Sequence, residues 1–252
     1  MLSVRRPTAA QVLEALGVLS AVGTLALGAL GTIPAHPRFE VGREVFGNVP
    51  DAAVLVFYVG LSAFLWLTFH LFAQRAASWQ QGGADRRTGH WKERLARLYE
   101  GLSMKTLMRD PRAGVMHSMI YFSFIVLFLG TVTLEIDHLL PSNLKFLHGT
   151  FYLGYSAILD LAGLVFLGGL ALAFAGRYLV RPWRLRSKTK PQDALILSLL
   201  ALIGLTGLLV EAARISLSDR PDFEMWSFVG YPLSFLFDPV DAGDWHQFLW
   251  VS

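Results

Sequence analysis

Long apolar runs broken by charged loops set the pattern of this chain. The runs are Ala15–Ile33, Ala52–Phe72, Gly114–Leu134, Thr150–Ala175 and Ala194–Val210. A sixth begins at Trp245 in "DWHQFLWVS". A hydrocarbon core of about 30 Å needs about 20 apolar residues as helix, and each run is near that length. None alternates with the period of a strand, and the runs are too long for strands. Because lipid offers no partner to an open backbone, only helices or closed barrels span it. The pattern predicts an all-α fold: a polytopic transmembrane helical bundle of five spans plus the start of a sixth. The first run follows Arg5 and Arg6 but is longer than the apolar region of an ordinary signal peptide. Residues 1–50 are therefore read as a retained first transmembrane helix and its outer loop.

Composition agrees. Of 252 residues, 54% are hydrophobic and 16% charged, against about 25% charged in soluble domains. The net charge of +3 is no nucleic-acid footprint, because the basic residues are sorted by loop. Arg5 and Arg6 precede the first span, nine basic residues lie in 74–113 and six in 177–192, together 17 of the 22 Lys and Arg. The alternate loops are visibly acidic, as in "DRPDFEMW" and "DPVDAGDW". The positive-inside rule then puts the N-terminus in the cytoplasm. The chain has no cysteine, which excludes disulfides, cysteine nucleophiles and thiolate-held iron–sulfur clusters within it.

Two loops carry more than a connection. The 74–113 loop has apolar residues at Leu95, Leu98 and Leu102 amid basic ones. It reads either as a lipid-surface helix pinned by anionic head groups or as a docking platform for a cytoplasmic partner. On the other side, "FEMWSFVGYPLSFLF" (residues 223–237) is apolar but interrupted by Gly230 and Pro232; it reads as an interfacial segment roofing a pocket.

Four of the seven histidines stand at span ends: His70, His117, His148 and His246. In this topology His70 and His117 lie at the cytoplasmic level, His148 and His246 at the outer level. A b-type haem takes two axial imidazoles from different helices, so two pairs at two depths fit one or two haems b stacked across a membrane. Tyr121 and Phe124 follow His117 by one and two turns, and Tyr152 and Tyr155 follow His148 at i+4 and i+7. The ordinary alternative for each histidine is an interfacial side chain with its tip at the head groups. His36, His90 and His138 fall in predicted loops. Asp160 lies 12 residues past His148, about 18 Å along a helix, near mid-membrane. It reads as part of a proton path or as a protonated acid bonded to a neighbouring helix. Glu211 ends the fifth span and reads as interfacial; Gly163, Gly168 and Gly169 read as tight helix packing.

The stretches "MKTLMRDPRAGVMHSMIYFSFIVLFLGT" and "LHGTFYLGYSAILDLAGLVFLGGL" resemble the membrane half of a heterodisulfide-reductase-like family. In that family a nitrate-reductase-gamma-like cytochrome b domain is paired with a cytoplasmic iron–sulfur domain. The version most similar in wording is the bacterial electron-transfer-flavoprotein:menaquinone oxidoreductases. The resemblance covers about residues 50–252 and identifies 51–252 with the cytochrome b membrane domain, its last helix unfinished. It implies a multi-pass protein of the bacterial cell membrane that passes electrons between an electron-transfer flavoprotein, through iron–sulfur clusters in a missing domain or partner, and menaquinone. By the resemblance His117 matches the first histidine of the gamma-subunit haem helix. The second, ten residues on, is Leu127 here, so His148 is taken as its substitute. A quinone site is expected between the aromatics of the fourth span and residues 223–237, with Tyr152, Tyr155, Asp160 and Trp226 as candidates. The competing function class is a non-redox membrane anchor or transporter. No H-E-x-x-H or serine–histidine arrangement supports an intramembrane hydrolase.

Overall fold

The computed structural model describes residues 8–31, 40–81, 90–103, 107–180 and 190–251. Its helices are α1 (Ala9–Gly31), α2 (Asp51–Gln80), α3 (Trp91–Leu102), α4 (Pro111–Leu139), α5 (Gly149–Phe174), α6 (Pro191–Leu217), α7 (Gly230–Ser234) and α8 (Ala242–Val251). A π-helical turn, Ala175–Val180, continues α5. Among the described residues no strand forms beyond a single antiparallel bridge, Gly42 to His148. Five helices, α1, α2, α4, α5 and α6, are long and apolar enough to cross a membrane, so the chain is an all-α transmembrane protein.

These helices outrun the apolar runs that predict them. Hydropathy marks only the part that sits in hydrocarbon; the helix continues until a breaker or cap ends it. Asp110 caps α4, accepting a hydrogen bond from the Ala113 amide with Pro111 at the first helical position. Pro191 opens α6, with the Asp193 carboxylate accepting from the Lys190 amide at 2.9 Å. At its other end α6 runs on past Val210 to Leu217, which keeps Glu211 and Arg214 helical. The predicted end of α1 at Ile33 lies outside the described residues.

The chain divides into two compact units, residues 1–36 with 49–91 and residues 37–48 with 92–252. In the first, α1 and α2 pack antiparallel. Gly17, Ala21, Thr24 and Gly28 form a stripe of small residues along α1. That stripe lets large side chains of α2 approach its backbone, as is common between membrane helices. Tyr58 is fully buried against Gly28, where a Cβ would stand 2.6 Å from the Tyr58 Cβ. The Ser62 hydroxyl donates to the Ala21 carbonyl.

In the second unit α4 and α5 form an antiparallel hairpin. Asp137 shapes the connection: its Oδ1 accepts from the Phe146 and Leu147 amides at 2.7 and 2.8 Å. Gly149 begins α5 with φ +59° and open space at its Cβ position. Its glycine therefore answers a left-handed backbone, not a close approach. Further along, Gly169 sits against α4, and a Cβ there would lie 2.8 Å from Ile120 Cγ1 and 3.1 Å from the Ile120 backbone nitrogen. Gly204 seats α6 on Leu167 and Phe166 in the same way.

Those spacings separate two glycines of one helix. Gly169→Ala must push on α4 backbone and is expected to destabilise by about 1–3 kcal/mol. Gly154, with nothing within 4 Å of its Cβ position, becomes a better helix residue as alanine, by about 0.5–1 kcal/mol. Unfolding in mixed detergent micelles reads both; equal effects at the two positions would refute this account of the α4–α5 contact.

Candidate functional site

One face of α5 and the end of α6 supply the polar side chains. Tyr152, Ser156 and Asp160 recur every four residues on α5, so they share a face, and all three are buried. Glu211 and Arg214 stand one turn apart on α6. The chain then reverses: Asp219 and Arg220 both adopt positive φ (60° and 51°), a strained choice for such residues that the surroundings must enforce. The Arg220 guanidinium does so. It donates to the Phe237 carbonyl at 2.7 Å, the Ser234 carbonyl at 3.0 Å and the Ser216 hydroxyl at 2.9 Å. It also lies over the Phe235 ring, 4.9 Å from its centroid. The segment so returned forms a 3₁₀ turn, Asp222–Trp226, and then α7.

This returning segment meets α5 and α6 in a buried hydrogen-bonded network. Arg214 grips Glu224 with both guanidinium arms, at 2.6 and 3.1 Å. The Tyr152 hydroxyl donates to Glu224 Oε1 at 2.9 Å and lies 3.3 Å from Arg214 Nη2. Ser227 bonds to Glu224 Oε2 at 3.3 Å and Glu211 Oε1 at 3.1 Å, and its hydroxyl also meets that of Ser156. Deeper, Asp160 Oδ2 accepts from the Val229 and Gly230 amides at 2.6 and 3.2 Å. Asp160 Oδ1 is buried without a hydrogen-bond partner. Glu211 packs over Gly230, where a Cβ would stand 2.8 Å from its Cγ. Glu224 is 1% exposed. Burial alone would raise its pKa, but hydrogen bonds and charge from Arg214, then the Tyr152 hydroxyl, hold it below the usual carboxylate range.

Of the expected site residues, Tyr152 and Asp160 enter this network. Tyr155 instead donates across the hairpin to the Gly130 carbonyl at 2.9 Å. Trp226 points outward and is 55% exposed. Asp160 is explained by the returning segment, whose amides reach it inside the protein. Glu211, expected at the interface, instead joins Ser227 and Arg214. Arg214, Glu224 and Ser227 escaped sequence reasoning; their one signal is a Glu–Arg pair a turn apart at the end of a span, followed by the acid of the loop that lies deepest in its apolar part.

The histidines separate. His70 belongs to the first unit, where Nδ1 contacts Glu14 Oε1 at 2.7 Å, Nε2 lies 2.9 Å from Gln74 and Trp66 stacks on the ring at 5.3 Å. His117 is exposed on the second turn of α4. His148 is exposed at the N-cap of α5. Those two stand at opposite ends of the hairpin, His117 being 22 residues, about 33 Å, from the end of α4. His246 is buried in α8, with Nδ1 lacking a hydrogen-bond partner. His138, expected in a loop, is buried in the last turn of α4 with its ring edge-on to Phe46. Among the described residues no group of three or more His, Asp or Glu side chains is arranged to hold a metal ion.

The Arg214–Glu224 pair makes two predictions. Arg214→Ala leaves a carboxylate buried and unpaired, at a cost of about 3–5 kcal/mol; adding Glu224→Ala restores part of it, as a double-mutant cycle of unfolding midpoints in detergent would show. Because Glu224 has a lower pKa folded than unfolded, its contribution is complete above the ordinary carboxylate value of about 4.3 and drains as pH falls through the depressed one. The wild type should therefore lose stability more steeply than Glu224→Gln below about pH 4. Parallel curves would refute the role given to this carboxylate.

No family model matches the chain, and no solved structure matches it. Two curated proteins do match. Over 156 residues, 57% of this chain, it is 33% identical to an EtfAB:quinone oxidoreductase of Syntrophomonas wolfei. Over 147 residues, 58% of this chain, it is 26% identical to the probable iron-sulfur-binding oxidoreductase FadF of Bacillus subtilis. In each case the match takes in 21% of the relative's length, so the chain spans about a fifth of the proteins it matches. Over that shared stretch, this transmembrane chain is related to an oxidoreductase family.

Proposed function

We propose that this chain is the membrane electron-transfer module of a quinone-linked oxidoreductase, exchanging electrons between a cytoplasmic iron–sulfur and flavoprotein partner and menaquinone. The observation that carries the reading is the kinship with a quinone oxidoreductase in a chain with five membrane-crossing helices. The basic loops then face the cytoplasm, where such a partner docks, and the α5–α6 network lies toward the outer face.

Haem b is the group that would carry the electrons, cycling its iron by one electron at a time. The imidazoles fit it unequally. His246 could hold it, because its buried Nδ1 has no hydrogen-bond partner. His117 and His148, exposed at opposite ends of the α4–α5 hairpin, could each hold such a group only with a partner other than one another. His70 fits less well, since a ligand role costs it the contact with Glu14 or Gln74.

Reducing a quinone to a quinol takes two electrons and two protons. The 3₁₀ turn and the two residues after it would suit that traffic: Glu224 and Ser227 turn inward to the network, while Met225, Trp226 and Phe228 are exposed. An isoprenoid tail entering from lipid meets those apolar side chains first. A head group reaching past them meets the Tyr152 hydroxyl and the Ser227–Glu211 link, which orient its oxygens and hold the protons they take up.

The first test is a reduced-minus-oxidised optical spectrum with haem quantified per chain, on this chain and on one extended past Ser252. A b-type band that falls by half or more in His117→Ala supports the assignment; no haem in either form refutes it. For the quinone site, Tyr152→Phe is expected to lower quinol-linked turnover at least tenfold with haem content unchanged, about one charge-assisted hydrogen bond lost from the transition state. Unchanged turnover in Tyr152→Phe and Trp226→Ala together would place the site elsewhere.

A further inference from the structure

The helix α3 is unlike every other helix of comparable length here, because each of its residues from Trp91 to Leu102 is exposed. Twelve residues make an isolated helix marginal in water, and this one also presents Trp91, Leu95, Leu98, Tyr99 and Leu102 to it. At about 100° per residue those five side chains fall within an arc of about 100°. Lys92 and Arg94 border the arc on its two sides, while Glu93, Arg97 and Glu100 fall on the opposite face. At about 18 Å the helix is too short to cross a membrane.

Its position along the chain fixes what lies beneath it. The turn Leu107–Arg109 is seated on the first turn of α4, where a Cβ on Gly114 would stand 2.9 Å from Met108 Cα and 3.0 Å from the Leu107 carbonyl oxygen. From Leu102 to Leu107 is five residue steps, about 17 Å at most. The end of α3 is therefore held within that distance of the point where α4 enters the membrane.

We propose that α3 lies on the membrane surface, its apolar arc sunk among the head groups of anionic lipid and Lys92 and Arg94 bonded to their phosphates. The charge order favours lipid over a protein partner. The two cations sit where a helix at a bilayer interface reaches head groups, both acids point away from them, and a Trp and a Tyr lie in the arc as at membrane interfaces generally. The basic residues that follow in the sequence, Lys105, Arg109 and Arg112, add to the attraction of an anionic surface. This inference is independent of the redox reading.

The absence of cysteine from the chain makes the test clean. Leu98→Cys in the arc and Ala96→Cys outside it, about 110° from its centre, each give one site for an environment-sensitive fluorophore on the full chain. The variants are reconstituted in phosphatidylcholine vesicles with and without a quarter of phosphatidylglycerol, and circular dichroism verifies that both keep wild-type helix content. With phosphatidylglycerol present, the label at 98 should emit at shorter wavelength and be quenched by spin-labelled lipid, while the label at 96 is quenched by iodide in the water. Removing the anionic lipid, or adding Lys92→Gln and Arg94→Gln, should shift the label at 98 toward water. Equal iodide quenching at both positions overturns the proposal. So does a label at 98 shielded from iodide and lipid alike, which would mark a protein or a second copy on this face, and so does indifference to lipid charge.

Discussion

A guanidinium buried near the end of a membrane helix has to find a carboxylate, and Arg214 finds Glu224. The second unit is arranged around that requirement. Ionised groups taken from water without a partner cost several kcal/mol each, so the acid must come to the base, and the chain between α6 and α8 has to turn back to deliver it. The left-handed pair at Asp219 and Arg220 makes the reversal, and Arg220 holds it by capturing carbonyls that the tight return leaves exposed. Once Glu224 is in place, Ser227 falls one 3₁₀ turn later between Glu224 and Glu211, and the amides of Val229 and Gly230 arrive over Asp160. A carboxyl deep in α5 thus acquires its donors from a segment some 70 residues away in sequence.

The two units solve the packing problem by different means. Between α1 and α2 the contact rests on small residues and one large aromatic, with Tyr58 laid into the space that Gly28 leaves. In the second unit glycines do the same between α4, α5 and α6, but polar groups take over toward the Arg214 end. Van der Waals packing suits hydrocarbon, where there is no hydrophobic force between helices. Hydrogen bonds to charged groups suit a region from which water is excluded and where geometry must be held.

Hydropathy made the spans legible, since each is a long apolar run, and it put Tyr152 and Asp160 on one span. What it could not show was everything decided by the return of the chain after α6. Glu211 looks interfacial because it ends an apolar run, yet the helix continues and the residue is covered by Gly230. Glu224 looks like one more acid of an acidic loop; its burial depends on Arg214, ten residues earlier, and on a backbone reversal that no periodicity encodes. Trp226 was singled out for its aromatic ring, whereas the segment's inward positions belong to Glu224 and Ser227. His138 reads as a loop residue only because the hydropathic run stops before the helix does. The likeness of its wording to a redox family was legible too, and the oxidoreductase relatives agree with it at that level.

The inward and outward positions of the 3₁₀ segment bear on what a cluster of this kind is for. If the network served stability alone, apolar residues of similar volume would serve as well or better, since buried ion pairs are weak stabilisers. Two carboxyls, an arginine, a tyrosine and two serines joined into one network are an expensive way to fasten a loop. On the reading proposed above, the same groups would hold and relay protons beside an apolar wall. Met225, Trp226 and Phe228 form that wall, and the polar chain begins one side chain behind it. On that reading, a hydrophobic molecule whose head group takes up protons with electrons would find both surfaces within its own length, on alternate sides of this one turn.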